Sequence, residues 1–178
     1  MARLIVLLRG VNIGPRNRVP MPELRDLLTD ARFGDVRTYV QSGNVVLTST
    51  KTPTQVSRAV ERMIAKAFGL DIAVVVRTRA ELAKVVEHNP LGDVADNPKR
   101  YHVSFLSAKP SSTVLRKLDA AVVPPEQFVA VNREIYAWHP AGAARSKLWA
   151  LLAGRDLGVT ATARNWTTVT KLLELASE

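Results

Sequence analysis

The 178-residue sequence contains no cysteine. That absence removes thiol nucleophiles, iron–sulfur clusters, Cys-ligated zinc and any disulfide scaffold from its chemistry. Histidine is almost as scarce: His88, His102 and His139 lie far apart, with neither His-x-His nor His-Glu-x-x-His spacing. No metal and no cofactor are therefore expected. Acidic residues are scattered singly, without a pair that suggests an acid/base couple, and there is no Gly-x-Ser-x-Gly elbow for a hydrolytic serine. Long hydrophobic runs are missing too. The apolar stretch near the start, Leu4 to Leu8, is far too short for a membrane span or a signal-peptide core. The expectation is a soluble cytoplasmic protein with no membrane partner.

Acid is also in short supply, with 16 Asp+Glu against 25 Lys+Arg and a formal charge of +9. Such an excess suits a nucleic-acid backbone, whose affinity for proteins is dominated by phosphate neutralisation. Arginine and alanine richness of the kind a GC-rich genome produces accounts for it equally well. The placement of the charge says more than its total. Arg3, Arg9, Arg16 and Arg18 fall before Pro22 in a segment without a single acid.

Enough is present for a real core, since 47% of the residues are hydrophobic. Arg3 to Arg9 reads as a buried strand, Gly10 to Val19 as a loop, and Leu24, Leu27 and Leu28 as one face of a helix entered at Pro22. Val36 to Gln41 and Val45 to Thr50 alternate as two strands around a tight Gly43-Asn44 turn. Thr52 or Thr54 caps a helix that runs to Phe68, and Ile72 to Val76 follows as a strand. This βαββαβ order is the ferredoxin-like split βαβ plan. A helix from Ala80 to His88 leads into Asn89-Pro90-Leu91-Gly92-Asp93 and Asn97-Pro98, the best boundary in the chain. The expected division is 1–90 and 91–178. Beyond it, strand Tyr101 to Leu106, helix Ser112 to Ala121 and strands Gln127 to Val131 and Glu134 to Trp138 repeat βαββ. Helices from Ala144 to Ala153 and from Trp166 to Ala176 complete the chain. The fold class is α+β, two ferredoxin-like subdomains as two-layer α/β sandwiches.

Three segments offer a binding chemistry. The loop holding Arg9, Gly10, Asn12 and Gly14 supplies donors and glycine geometry without a negative charge, and it is neither a Walker loop nor a dinucleotide-binding glycine loop. The hairpin with Ser42 and Asn44 is explained by its turn alone unless it lies beside that loop. At Arg164-Asn165-Trp166-Thr167-Thr168, Asn165 is a good N-cap. The first helical turn carries hydroxyls and is preceded by a cation where acids are usual, which suits an anion. His102, opposite the Tyr101, Val103 and Phe105 face of its strand, reads as a packed or surface histidine. An RNA-recognition platform is disfavoured, because neither Leu4 to Leu8 nor Val45 to Thr48 contains an aromatic residue.

The motifs Leu7-Leu8-Arg9-Gly10-Val11-Asn12-Ile13-Gly14, Met21-Pro22-Glu23-Leu24, Val36 to Val46 and Thr162 to Val169 resemble, in order, those of the bacterial family of domain of unknown function 1697. Pro15 stands where that family commonly has a second glycine, which implies a stiffer loop. The resemblance implies a pair of ferredoxin-like α/β subdomains in a cytoplasmic protein and no established activity. It singles out the same three segments.

The expected function is binding of an anionic, phosphate- or carboxylate-bearing small ligand. Arg9 and Arg164 would neutralise it, Asn12 and Asn44 orient it, and Gly10, Gly14, Ser42, Asn165, Thr167 and Thr168 complete the cradle. Nucleic-acid backbone binding is the alternative. A phosphoryl or acyl hydrolase is a third reading, by analogy of fold alone; the sequence itself reveals no reaction.

Overall fold

A computed structural model describes residues 1–178. The chain divides into two compact units, one of Met1–Lys84 with Lys171–Glu178 and the other of Val85–Thr170. The last eight residues thus return to the first unit.

The first unit runs β1 (Ala2–Leu8), α1 (Met21–Asp30), β2 (Gly34–Tyr39), β3 (Asn44–Ser49), α2 (Pro53–Phe68) and β4 (Val74–Thr78), with sheet order β2-β3-β1-β4 and antiparallel neighbours. Period-two alternation in β1 sends Leu4, Val6 and Leu8 to one face, where they meet Met21, Leu24 and Leu28 of α1 and Val56, Val60 and Ile64 of α2. Ile5, Leu7, Val46 and Val75 on the other face are buried as well, which is why β1 reads as a continuous apolar run rather than an alternating one. Pro22 sits in the first turn of α1 and Gly69, at φ 68°, ends α2. Thr52 begins α2 with a full capping box: its hydroxyl accepts from Gln55 N at 3.2 Å and its amide donates to Gln55 Oε1 at 2.9 Å. Thr52→Ala is expected to cost about 1 kcal/mol, read as a lower urea midpoint with unchanged slope.

Helix α3 (Arg79–His88) begins in the first unit and ends in the second. The second unit then repeats the plan: β5 (Tyr101–Leu106), α4 (Ser112–Ala121), β6 (Gln127–Val131), β7 (Glu134–Trp138), α5 (Lys147–Ala153) and β8 (Ala161–Asn165), sheet order β6-β7-β5-β8, followed by α6 (Trp166–Ser177). Leu106, Ile135, Ala137 and Ala161 of the sheet pack on Val114 and Leu118 of α4 and Leu148 and Leu152 of α5. The split βαβ order is complete in both units. Sequence periodicity leaves β8 out, and its addition turns an expected βαββ into βαββαβ. The other departures are local. Strand β4 starts at Val74, helix α5 starts at Lys147, and the β2–β3 connection is a four-residue turn, Val40 to Gly43, closing on a Tyr39↔Asn44 pair.

The two units are repeats in detail as well as in order. Leu8 N donates to Gly43 O and Arg9 N to Ala73 O in the first; Leu106 N donates to Arg133 O and Ser107 N to Thr160 O in the second. On that register the Ile5↔Arg77 pair of β1 and β4 corresponds to the Val103↔Arg164 pair of β5 and β8. Both arginines are buried. Each also donates from one guanidinium nitrogen to the carbonyl just before it, Arg77 to Val76 O at 3.1 Å and Arg164 to Ala163 O at 2.8 Å. The same register aligns two further buried polar residues, Asn44 and Glu134.

Candidate functional site

Loop and hairpin meet in the first unit, and asparagine makes the joint. Asn12 adopts φ 56°, a left-handed conformation that asparagine tolerates better than most residues. Its side chain donates to Val19 O at 2.9 Å and to Gln41 O at 2.7 Å, and accepts from Val19 N at 2.9 Å. Its backbone amide donates to Asn17 O at 3.0 Å, closing the loop across its base. Asn12 therefore fixes the loop's shape and ties it to the hairpin, and its side-chain bonds are spent there. Asn44 does the equivalent inside the turn, donating to Tyr39 O at 3.2 Å and Ser42 Oγ at 2.8 Å while fully buried. Gly43, at φ 82°, lies against Leu8 and Val11.

What this framework leaves at the surface is basic and partly apolar. Arg16 and Arg18 are exposed, Ile13 is 76% exposed, and on the neighbouring turn Val40 is 53% exposed. Val40 sits at φ 49°, an uncommon conformation for a β-branched residue. The amides of Ile13 and Gly14 are not spent on other groups of the protein. Gly10 and Gly14, at φ 65° and 75°, border open space. Alternating hands of backbone such as these turn amides toward a common concavity that suits anions.

The third segment lies in the second unit and is built differently. Arg164 is a strand residue of β8, 7% exposed, and donates to Thr162 Oγ1 at 2.7 Å as well as to Ala163 O. Burial lowers its guanidinium to about 10, still a cation at neutral pH. Asn165 caps α6, its Oδ1 accepting from Thr168 N at 2.9 Å, and Trp166 N donates to Pro98 O at 3.1 Å. Two of the three amides in that first turn are thus already taken. The Trp166 ring stacks on Tyr101 with centroids 4.8 Å apart.

A second cluster escaped the sequence reading. His139 is fully buried, and its Nδ1 lies 2.6 Å from Glu126 Oε2, which also accepts from Ser146 Oγ at 2.6 Å. His102 stands beside it, ring centroids 5.6 Å apart, with Trp149 of α5 against both rings. One signal was available. In Tyr101–Leu106 the odd face is wholly apolar or aromatic, and a strand covered on both faces draws Ser104 inside and half-buries His102. No group of three or more His, Asp or Glu side chains is arranged to hold a metal, and no helix is long and apolar enough to cross a membrane.

No curated protein matches the chain. Among solved structures, the conserved bacterial protein SP0830 of Streptococcus pneumoniae shares the fold, with a TM-score of 0.80 and 20% identity over 98% of each chain. The family described as "Protein of unknown function (DUF1697)" matches residues 1–136, which include the loop, the hairpin and both strands that carry them. On that match, the chain belongs to the DUF1697 family.

Proposed function

We propose that the first unit binds an anionic, phosphate- or carboxylate-bearing small ligand on the surface formed by the Gly10–Arg18 loop and the Val40–Gly43 turn. The observation that carries this reading is a pre-shaped, acid-free loop. Asn12 spends its side chain on holding the two segments together, while Arg16 and Arg18 are exposed and the amides of Ile13 and Gly14 bond no other group of the protein. A rigid site loses little entropy when an anion arrives, and guanidinium groups give charge-assisted bonds to its oxygens. Gly10, Ser42 and Gly43 shape the cradle, with Arg9 at its edge. Arg164, Asn165, Thr167 and Thr168 stay outside the proposal, because Arg164 is buried in β8 and Asn165 occupies the Thr168 amide.

The test is calorimetric titration with inorganic phosphate and a panel of phosphorylated and carboxylated metabolites. Arg16→Ala/Arg18→Ala is expected to weaken the best binder by about 150-fold or more, since each charged hydrogen bond contributes about 1.5–3 kcal/mol. Equal affinity for the parent and the double variant overturns the proposal.

A further inference from the structure

Glu126, His139, Ser146 and His102 form a polar node under α5, and the node holds that helix in place. Ser146 is the N-cap of α5: its hydroxyl accepts from Trp149 N at 3.0 Å while donating to Glu126 Oε2 at 2.6 Å. The same carboxylate oxygen holds His139 Nδ1. Trp149, one turn into α5, lies 4.7 Å from His102 and edge-on to His139 at 5.7 Å between ring centroids. Two imidazole nitrogens in this node, His102 Nδ1 and His139 Nε2, are buried without a hydrogen-bond partner. A proton arriving on His102 thus brings a charge into a site with little to receive it.

We propose that this node is an acid-operated latch on α5: protonation of His102 beside His139 releases Trp149 and frees the helix from its seat. Every facing group bears on the outcome. From β5 comes His102 itself; His139 follows β7, and Glu126 precedes β6. Helix α5 contributes only the neutral Ser146 and Trp149, its Lys147 being exposed. Arg100, which donates to Pro140 O next to His139, adds a further positive charge at the rim. Glu126 is the single acid in the group, and two of its bonds already go to one oxygen.

Burial first, and then the charge of His139, lower His102 to about 4 despite a hydrogen bond with the Arg100 backbone that raises it, against about 6.5 for an open imidazole. The closed latch therefore favours neutral His102. Its stability is complete above the open value and is lost as pH falls toward the closed one. Between pH 7.5 and pH 5 the population of the open form should rise about 30-fold by that linkage.

Amide hydrogen exchange of the whole chain tests this, after correction for the intrinsic pH dependence of exchange. The expected result is about a 30-fold rise in opening for the amides of α5 between pH 7.5 and 5, with α4 unchanged. In His102→Gln the rise should vanish. A direct titration of the His102 imidazole by NMR in the unaltered protein keeps the proposal falsifiable if that variant folds poorly: His102 should titrate well below an open imidazole. The latch is overturned by an α5 response that persists in His102→Gln, by equal responses in α4 and α5, which would mean global unfolding, or by ordinary titration of His102.

Discussion

Gly43→Ala is expected to destabilise the protein by about 3 kcal/mol or more. Two independent costs combine at this position. The backbone holds φ 82°, where a Cβ is strained. A Cβ there would also sit 2.7 Å from Leu8 Cβ and 2.7 Å from Val11 Cγ2. Neither contact is the far end of a flexible chain, and Leu8 Cβ is fixed by β1 itself. Relief would require moving the turn away from β1 and breaking the Leu8 N to Gly43 O bond of 2.9 Å. Gly10 and Gly14 provide the internal control: their φ values are also positive, but no atom lies within 4 Å of an added Cβ. Alanine at either should cost only about 1 kcal/mol, the backbone part alone. Urea unfolding of the three variants separates the two costs; equal losses at all three positions would show that the turn does not pack against β1 as described.

Arg77→Ala and Arg164→Ala are expected to cost about 3–5 kcal/mol each, because groups that a buried charge satisfies are left without it. The repeat makes this a paired prediction. The two arginines occupy equivalent strand positions and share the bond to the preceding carbonyl. Lysine should rescue neither, since an ammonium is more strongly hydrated than a guanidinium and so costs more to bury at these two positions. Thermal unfolding of the alanine and lysine variants checks it. A mild loss at Arg164 together with a lost ligand would restore that residue to the binding site.

Local signals carried most of the fold into legibility. The Leu4–Leu8 run, a cap at Thr52 or Thr54 and the neighbouring strands Gln127 to Val131 and Glu134 to Trp138 each declare themselves within a few residues; the run forms β1, Thr52 rather than Thr54 takes the cap, and β6 pairs with β7. Strand β8 does not, because Ala161-Thr-Ala-Arg-Asn has little apolar pattern of its own and becomes a strand by pairing with β5. The site was half legible for a related reason. Asn12 and Asn44 look like ligand donors in sequence, yet a polar side chain in a tight loop first serves the backbone groups around it. Arg164 reads as a cation before a helix until pairing with β5, five elements earlier in the chain, places it in a buried strand. The Glu126–His139–Ser146 node joins residues with no sequence periodicity to link them, and only the packing of α5 on its sheet brings them together.

Anion binding at the acid-free loop of the first unit, as proposed above, leaves a local signature in the backbone amides. Phosphate titration followed by amide chemical shifts tests it most directly. Saturable shifts are expected at Ile13, Gly14 and Arg16, with smaller ones at Gln41 to Gly43, and none at Trp166 to Thr168, where the cap is already made. Shifts spread evenly over basic residues without saturation, or confined to the start of α6, would contradict it.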